Sequence, residues 1–351
     1  MARGNGGQRY SDRFLAGLRD ASRVTLVSHV HPDPDALGAM LGLAHLVDVK
    51  LKKPTRVTRD GLINRAENRA MVDVLELPLV PIEEVDYQEG EAIVMVDSQP
   101  RTGRHNFDPD WPIQAVIDHH DTPGNLDGVP FVDIRNDLGA TCSVVTRYLI
   151  EQNVELPVRL ATALFYGIET ELTGYPRSAS TMDDSALHYL YPLADKELVA
   201  QIRNARLPQK YFECFLQAMQ SSFIYDRLIV SWVHELPHPE LAAEVCDFMM
   251  RFEAVDWALC AGVCKEQMIL SLRSTSPTAR AGEVMRTVVG KEGKGGGHDR
   301  RAGGAIPLAS TSAHAVEELQ TELRRRLLNA LDIEGCRGQR LVPLREILQN
   351  L

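Results

Sequence analysis

Three largely apolar runs mark the first half of the sequence, and each is followed by polar residues. The runs are Val24–Ser28, Glu91–Val96 and Gln114–Ile117, and stretches with helical spacing of apolar residues lie between and after them. Strands that are buried on both faces look like this, because helices cover both sides of a parallel sheet. The first half therefore predicts a βαβ-like domain whose ligands lie beyond the carboxyl ends of its strands.

The second half shows a different order of elements. A strand-like run at Arg227–Val233 is followed by an amphipathic helix at Glu240–Phe252 and by two further strands. A glycine-rich turn at Gly293–Gly297 then precedes a last strand and a charged helix at Ala313–Leu331. This pattern predicts a second α/β domain.

The length of 351 residues fits two domains, since domains usually have roughly 100–200 residues. The stretch between the two halves has a helical pattern punctuated by Pro192 and Pro208. We expect an α/β protein with an N-terminal parallel-sheet domain at 1–182, a helical connector at 183–222 and a smaller C-terminal domain at 223–351.

Composition limits the partners of the chain. Acidic residues outnumber basic residues 48 to 38, so the net charge is −10. Electrostatic binding of long duplex nucleic acid by the protein surface as a whole is therefore not expected. The sequence shows no signal peptide and no apolar stretch that approaches the ~20 residues of a membrane helix. The six cysteines form no CxxC pair, which predicts buried free thiols and a reduced, cytoplasmic location.

Residue types that bind metals stand where the apolar runs end. His29, Asp33 and Asp35 follow the first run, and the other runs lead into Asp97 and Asp118–His120. A helix N-cap would explain Asp35 alone but not the other two residues that follow the first run. Mixed carboxylate and imidazole ligands suit a pair of divalent transition ions, with manganese a good candidate and iron or zinc as alternatives. Such a pair activates water and neutralises phosphoryl charge, so no Cys or Ser nucleophile is needed.

Five motifs in order resemble those of the DHH phosphoesterases with a DHH-associated domain. Three lie in the first half: His29-Val-His-Pro-Asp33-Pro-Asp35-Ala, Val96-Asp97 and Asp118-His119-His120. Two lie in the second half: Ser271-Leu-Arg273-Ser274 and Gly295-Gly-Gly-His298-Asp-Arg-Arg-Ala302-Gly303-Gly304. The chain looks most similar to the bacterial branch of nanoRNases and 3′-phosphoadenosine 5′-phosphate phosphatases. The resemblance implies a catalytic parallel-sheet domain and a substrate-binding associated domain.

The resemblance also implies a role for each residue of the first three motifs. His29 and Asp33 would hold one ion, Asp35 and His119 the other, and Asp97 would bridge the two. His120 would lie near the reacting phosphate and act as a catalytic residue. Asp118 would orient His119 or hold the loop, because metal-bound imidazoles usually need a hydrogen-bond acceptor.

A further motif, the fourth of the catalytic domain, departs from the family pattern Gly-Ile-x-x-Asp-Thr-Gly. It follows the predicted helix Pro157–Ile168 and has Glu171 at the position of the Asp, with one extra residue before Thr173-Gly174. Glutamate is an acceptable ligand type, so we expect Glu171 to complete the shell of the second ion, directly or through water.

In the second half, the resemblance implies substrate-binding residues: Arg273, Ser274, Gly296, Gly297 and His298. Glycine amides can approach a phosphate closely, and Arg273 can bind one in bidentate fashion. A plain tight turn would also explain the glycines, and Arg300 and Arg301 would then be solvated. Arg101 and Arg104 flank the position where this branch often carries an arginine, and they stay outside the predicted site.

The expected function is hydrolysis of a phosphoester by a hydroxide that two metal ions activate, with a substrate held by both domains. Short oligoribonucleotides, linear dinucleotides and a 3′-phosphorylated nucleoside 5′-phosphate are the expected substrates. Hydrolysis of cyclic dinucleotides or polyphosphate is an alternative, as is a nucleotide-binding regulator that Glu171 has weakened catalytically. A homodimer fits the resembling branch, and no membrane partner is expected.

Overall fold

The computed structural model describes residues 8–121, 124–173, 179–297, 299–335 and 337–343. The chain divides into two compact units, Met1–Ala205 and Arg206–Leu351. The helices of the stretch 183–222 are shared between the two units rather than forming a body of their own.

The first unit alternates helices and strands. Its elements in chain order are α1 (Tyr10–Gly17), β1 (Val24–Val27), α2 (Pro34–Leu51), β2 (Thr55–Arg59), α3 (Ala66–Leu75), β3 (Leu79–Pro81), a 3₁₀ turn (Ile82–Glu84), β4 (Ala92–Val96), β5 (Ile113–Asp118), β6 (Phe131–Ile134), α4 (Thr141–Glu151), α5 (Val158–Leu172), α6 (Thr181–Leu190) and α7 (Lys196–Arg203).

The six strands form one parallel sheet in the order β3-β2-β1-β4-β5-β6. The strand order reverses between β1 and β4, which are neighbours in the sheet but distant in the chain. In open α/β sheets, ligands bind at this switch point, beyond the carboxyl ends of the strands. The sheet therefore confirms the predicted fold class of this half and fixes where a site is expected.

Helix α2 is the central helix of the first unit. It packs closely on α4 and α5, because a Cβ atom at Gly38 would lie 2.8 Å from Sγ of Cys142 and 2.9 Å from the carbonyl oxygen of Ala163. Residues on nearly every side of α2 are buried, among them Leu37, Met40 and Leu43. This close packing brings the first turn of α2 next to the first turn of α4.

The second unit contains a mixed sheet. Its elements are α8 (Gln209–Ser221), β7 (Phe223–Tyr225), β8 (Leu228–Glu235), α9 (Leu241–Met249), β9 (Trp257–Cys264), β10 (Gln267–Ser274), α10 (Ala281–Val289), β11 (Lys294–Gly297), β12 (Arg301–Pro307), α11 (Ala313–Ala330) and β13 (Gln339–Arg340). The strand order is β11-β12-β10-β9-β8-β7-β13, with β8 and β9 parallel and the other neighbours antiparallel.

The glycine-rich segment is strand β11, so the prediction of a turn there was wrong. Gly295 pairs with Gly304 and Gly296 pairs with Gly303 across β11 and β12. A Cβ atom at Gly295 would lie 3.2 Å from side-chain atoms of Met285 on α10, so glycine lets the strand lie close to that helix. The glycines thus serve backbone packing in an edge strand.

The cysteines within the described ranges are free and buried, as predicted: Cys142, Cys214, Cys246, Cys260 and Cys264. Cys336 lies outside those ranges. Within the same ranges, no helix has both the length and the apolar composition that crossing a membrane requires.

Candidate metal centre

His29 follows β1 and is buried at the switch point of the sheet. Its Nδ1 lies 2.9 Å from the carbonyl oxygen of Val30, an acceptor that requires the proton to be on Nδ1 in the neutral ring. Its Nε2 lies 3.5 Å from Oδ2 of Asp97 and 3.8 Å from Oδ2 of Asp33. Nε2 therefore faces two carboxylates: in the protonated ring it donates a hydrogen bond, and in the neutral ring its lone pair can bind a metal ion.

The carboxylates of Asp33 and Asp35 accept hydrogen bonds at the starts of two different helices. Asp33 is the N-cap of α2, where its Oδ1 accepts hydrogen bonds from the backbone N–H groups of Asp35 and Ala36 at 3.1 and 3.0 Å. The alternative interpretation of Asp35 as the cap of this helix was therefore wrong by two residues, since the cap is Asp33. The Asp35 carboxylate instead accepts hydrogen bonds from the N–H groups of Thr141 and Cys142, both at 2.7 Å, where α4 begins.

Asp97 lies between two histidines. Its Oδ2 faces His29 as described above, and its Oδ1 lies 3.4 Å from Nε2 of His119. The residue follows β4 with a φ of +56°, a left-handed conformation that costs a non-glycine residue energy and is concentrated at functional sites. Each oxygen of this carboxylate therefore faces a different imidazole, as expected of a group that bridges two ions.

The Asp-His-His triplet ends β5. Nδ1 of His119 lies 3.3 Å from the carbonyl oxygen of Leu138, and its Nε2 lies 3.8 Å from Oδ2 of Asp35. Oδ1 of Asp118 accepts a hydrogen bond from Nδ1 of His120 at 2.8 Å. Successive residues of an extended segment point to opposite sides, so residues i and i+2, here Asp118 and His120, lie on the same side.

Glu171 lies in the last turn of α5, which extends one turn beyond its predicted end. Its negative charge acts on Asp35. Burial and then the charges of Asp97, Glu171 and Asp33 raise the pKa of the Asp35 carboxyl well above its usual range. Glu171 is thus close enough to the other carboxylates to interact with them electrostatically.

The neighbouring charges in the centre shift the pKa values of His29 and Asp97 in opposite directions. Burial lowers the pKa of His29, but the hydrogen bond to Asp97 and the charges of Asp33 and Asp97 outweigh it and raise that pKa to about 9. Burial raises the pKa of Asp97, yet the hydrogen bond of His29 and the charges of His120 and His119 lower it overall. Buried carboxylates that repel one another are stabilised by cations.

The donor set fits divalent metal ions. One ligand atom each of His29, Asp33 and Asp97 lie within 4.8 Å of one another, and the same holds for Asp97, His119 and His120. The structure thus gathers the residues predicted for the first ion. In the second group His120 stands in place of Asp35, whose two oxygens face the α4 backbone.

Three residues near these groups were not predicted from the sequence. Thr141 donates a hydrogen bond from Oγ1 to Oδ1 of Asp97 at 2.8 Å. Gln99 donates from Nε2 to Oδ2 of Asp118 at 2.8 Å, and Arg104 lines a small cavity together with Gln99 and His120. Thr141 and Gln99 occupy an ordinary helix start and an ordinary turn, so no sequence signal marks them. Arg104 is a basic residue that flanks the predicted site without belonging to it.

The predicted substrate residues of the second unit have different surroundings. Arg273 donates from Nε to Oδ1 of Asp247 at 2.6 Å and from Nη1 to Oγ of Ser271 at 3.0 Å. Ser274 is buried and donates from Oγ to the carbonyl oxygen of Asp256 at 3.1 Å. His298 lies outside the described residues.

A cavity of about 540 Å³ lies beside the end of β11. Its lining includes Gly297, Arg280, Arg286 and Asp299 but neither Arg273 nor Ser274. Gly297 has a φ of +148°, and a Cβ atom there would lie 2.3 Å from the carbonyl oxygen of Arg301, so the position requires glycine. Gly296 has open space around it.

The first unit matches a known family. Residues 23–168 match the model of the DHH family, N-terminal domain. This part of the chain is similar to the N-terminal domain of that family, which confirms the resemblance of its motifs.

Three curated proteins are similar to the chain. An uncharacterized protein of Methanocaldococcus jannaschii is 27% identical over 316 residues, which cover 88% of this chain and 64% of that protein. The cyclic-di-AMP phosphodiesterase PdeA of Listeria monocytogenes is 23% identical over 333 residues, 90% of this chain and 48% of that protein. The probable bifunctional oligoribonuclease and PAP phosphatase NrnA of Streptococcus mutans is 25% identical over 172 residues, 48% of this chain and 52% of that protein. The chain thus spans between about half and two thirds of these relatives.

A solved structure shares the fold. The crystal structure of an exopolyphosphatase-related protein from Bacteroides fragilis has a TM-score of 0.69 and 18% identity, and the match covers 92% of this chain and 97% of that chain. Together with the parallel sheet and the mixed sheet, this likeness confirms the α/β fold class.

Proposed function

We propose that the protein is a metal-dependent phosphoesterase that hydrolyses short oligoribonucleotides, linear dinucleotides or 3′-phosphoadenosine 5′-phosphate. The observation that carries the proposal is the placement of Asp97, whose two carboxylate oxygens lie 3.5 and 3.4 Å from Nε2 of His29 and His119. A carboxylate with a histidine on each side is suited to bridge two divalent ions.

Six side chains would hold the two ions, for which we propose manganese. They are His29 and Asp33 for one ion, Asp35, His119 and Glu171 for the other, and Asp97 for both. Two such ions supply an activated water and neutralise charge on a phosphoryl group. The binding of cations also offsets the repulsion that Asp97 and Glu171 exert on Asp35.

His120 acts on the substrate in this proposal. Its Nδ1 is held by Asp118 at 2.8 Å, so Nε2, on the opposite side of the ring, is the atom that can reach a phosphoryl oxygen. A ring fixed in one tautomer donates or accepts a proton at one defined atom, which is what general acid–base catalysis requires. In the protonated ring, Nε2 carries the second proton and donates it in a hydrogen bond to a phosphoryl oxygen, so His120 orients the phosphate or stabilises its charge.

In the second unit, Arg273, Ser274, Gly296, Gly297 and His298 would hold the rest of the nucleotide. Of these residues, Gly297 lines the cavity beside β11, and Arg280 and Arg286 in the same lining are cations that can bind a phosphate. Glu283 and Asp299 also line the cavity and limit its positive charge. Phosphate binding by a few nearby groups suits short substrates better than long polyanions, which a chain of net negative charge repels.

The choice of substrate rests on one relative. The S. mutans protein named as an oligoribonuclease and PAP phosphatase is similar to half of this chain. The cyclic-di-AMP phosphodiesterase is similar over 90% of this chain, which favours cyclic dinucleotides as a second candidate substrate.

A length-resolved hydrolysis assay tests the proposal. The purified protein would be incubated with Mn²⁺ and labelled RNAs from two to about 24 nucleotides, with 3′-phosphoadenosine 5′-phosphate and cyclic di-AMP in parallel reactions. Release of mononucleotides from the shortest RNAs, absent in the Asp97→Ala variant, is expected. Turnover of cyclic di-AMP alone would favour the second candidate, and no turnover of any substrate would contradict both.

A further inference from the structure

Helix α4 begins at a residue that touches two of the proposed metal-binding carboxylates. The backbone N–H of Thr141 donates to Oδ2 of Asp35 at 2.7 Å, and the Thr141 hydroxyl donates to Oδ1 of Asp97 at 2.8 Å. Thr141, Asp35 and Asp97 are all buried. One residue therefore connects the carboxylate that follows β4 with the carboxylate at the start of α2.

The position of Thr141 is fixed by its neighbours. Cys142 donates its backbone N–H to Oδ1 of Asp35 at 2.7 Å, and its Sγ lies 3.2 Å from the carbonyl oxygen of Asp35. On the other side, the N–H of Gly139 donates to Oδ2 of the buried Asp183 at 2.8 Å. The start of α4 is thus held from both sides, so the Thr141 hydroxyl has a defined place.

The hydroxyl has a specific effect on Asp97. Asp35 and Asp97 repel each other, and a carboxylate can rotate about its Cβ–Cγ bond unless its oxygens are held. A hydrogen bond to a charged acceptor is stronger than a neutral one. Donation to Oδ1 therefore holds that oxygen on the side of His119.

We propose that Thr141 is a positioning residue of the metal centre, whose hydroxyl fixes Asp97 in the orientation needed to bridge two ions. The inference rests on the proposed metal centre. The hydroxyl holds Oδ1 of Asp97, the oxygen that lies 3.4 Å from Nε2 of His119 on the side of the second ion. Loss of the hydroxyl therefore weakens binding of the second ion more than binding of the ion held by His29 and Asp33.

Substitutions at Thr141 separate the hydroxyl from the rest of the residue. Thr141→Val keeps the shape and the backbone N–H that reaches Asp35, whereas Thr141→Ser keeps the hydroxyl and loses only a methyl group. Thr146 provides a matched control, since it is buried in the same helix and its hydroxyl donates to the carbonyl oxygen of Cys142 at 2.7 Å instead of to a carboxylate.

The experiment measures Mn²⁺ binding without any substrate. Calorimetric titration of the full chain gives the number and affinity of the ions, and the electron paramagnetic resonance spectrum reports whether two ions are magnetically coupled. We expect Thr141→Val to weaken the second ion about 10–100-fold, as for other residues that orient metal ligands, and to reduce the coupled signal. Thr141→Ser and Thr146→Val are expected to bind both ions like the wild type.

Four results would overturn the inference, and the last of them would also overturn the proposed metal centre. Equal binding of both ions by wild type and Thr141→Val would show that the hydroxyl is not needed, and equal loss in Thr141→Val and Thr146→Val would show a general weakening of the helix. Loss in Thr141→Ser would show that the methyl group matters instead. A wild-type protein that binds no Mn²⁺ would instead overturn the proposed metal centre, and the inference with it.

Discussion

The carboxylate of Asp118 holds the ring of His120 through a hydrogen bond of 2.8 Å from Nδ1 to Oδ1. Oδ2 of Asp118 accepts a hydrogen bond of 2.8 Å from Nε2 of Gln99. The side-chain oxygen Oε1 of Gln99 in turn accepts a hydrogen bond from the backbone N–H of Gly124. The first residue of the Asp-His-His triplet is therefore a buried acceptor that selects one tautomer of the third residue.

Asp118→Asn is expected to lower kcat about 10²-fold or more, because an amide can present its NH₂ group to Nδ1 and stabilise the wrong tautomer. The measurement is the steady-state rate on the substrate that the length-resolved assay identifies. Asp121→Asn is the control, since Asp121 is exposed and near in sequence. Equal rates for Asp118→Asn and wild type would show that the tautomer of His120 is not used.

Arg104 is expected to bind a phosphoryl oxygen of the substrate next to His120. It lines the same small cavity as His120, and its positive charge is among the effects that lower the pKa of His29. Arg104→Met should raise KM roughly 10–100-fold with a smaller change in kcat. The reason is that the hydrogen bond to the phosphoryl group is lost equally in the bound substrate and in the transition state.

Arg101 provides the control for this prediction. It lies on the same loop, carries the same charge and is exposed, but it is not part of the cavity lining. Arg101→Met should leave KM unchanged. A KM that rises equally in both variants would point to the net charge of the loop rather than to a contact of Arg104.

Glu171→Gln is expected to raise the Tm of the metal-free protein and to reduce the stabilisation that Mn²⁺ provides. The charge of Glu171 raises the pKa of Asp35, so removing that charge relieves repulsion and should raise the Tm of the protein in a chelator. The same change removes a proposed ligand, so the further rise in Tm on addition of Mn²⁺ should shrink.

Glu169→Gln is the matched control for Glu171, because Glu169 lies on the same helix and pairs with Arg203. It should not change the Mn²⁺-dependent rise in Tm. If Glu171→Gln retained the full rise, Glu171 would not be a ligand of the second ion.

Gly167→Ala is expected to destabilise the first unit by about 1–3 kcal/mol, because it overpacks a close contact between α5 and α2. The added Cβ would lie 2.8 Å from Sγ of Cys142 and 2.8 Å from the carbonyl oxygen of Pro34. Gly17→Ala, in the last turn of α1 with no atom within 4 Å, should be neutral or slightly stabilising. Urea unfolding measures both, and equal stability of the two variants would contradict the close packing of α2.

The location of the candidate site could be predicted from the sequence, because it depends on local signals. His29 and Asp97 directly follow apolar strands, and the carboxyl ends of parallel strands meet at one edge of a sheet. The short edge strands β3 and β6 were missed. Edge strands are partly exposed, so they lack a continuous apolar run.

Contacts between elements distant in the chain could not be predicted. The bond from Cys142 to Asp35 joins the starts of two helices, and it exists because glycines allow α2 and α4 to pack closely. The sequence shows Asp35 as a helix-start residue in either case. The same holds for the glycines of β11, which suit a tight turn locally but form a strand because β12 and α10 provide neighbours.

Anomalous diffraction at the manganese edge, measured on crystals grown with Mn²⁺, locates each bound ion relative to Asp97. If this carboxylate bridges two ions, we expect two peaks about 3.5–4 Å apart, one on the His29 side and one on the His119 side of Asp97. No peak at Asp97, or a single ion that contacts only one oxygen of its carboxylate, would contradict a two-metal centre bridged by this residue.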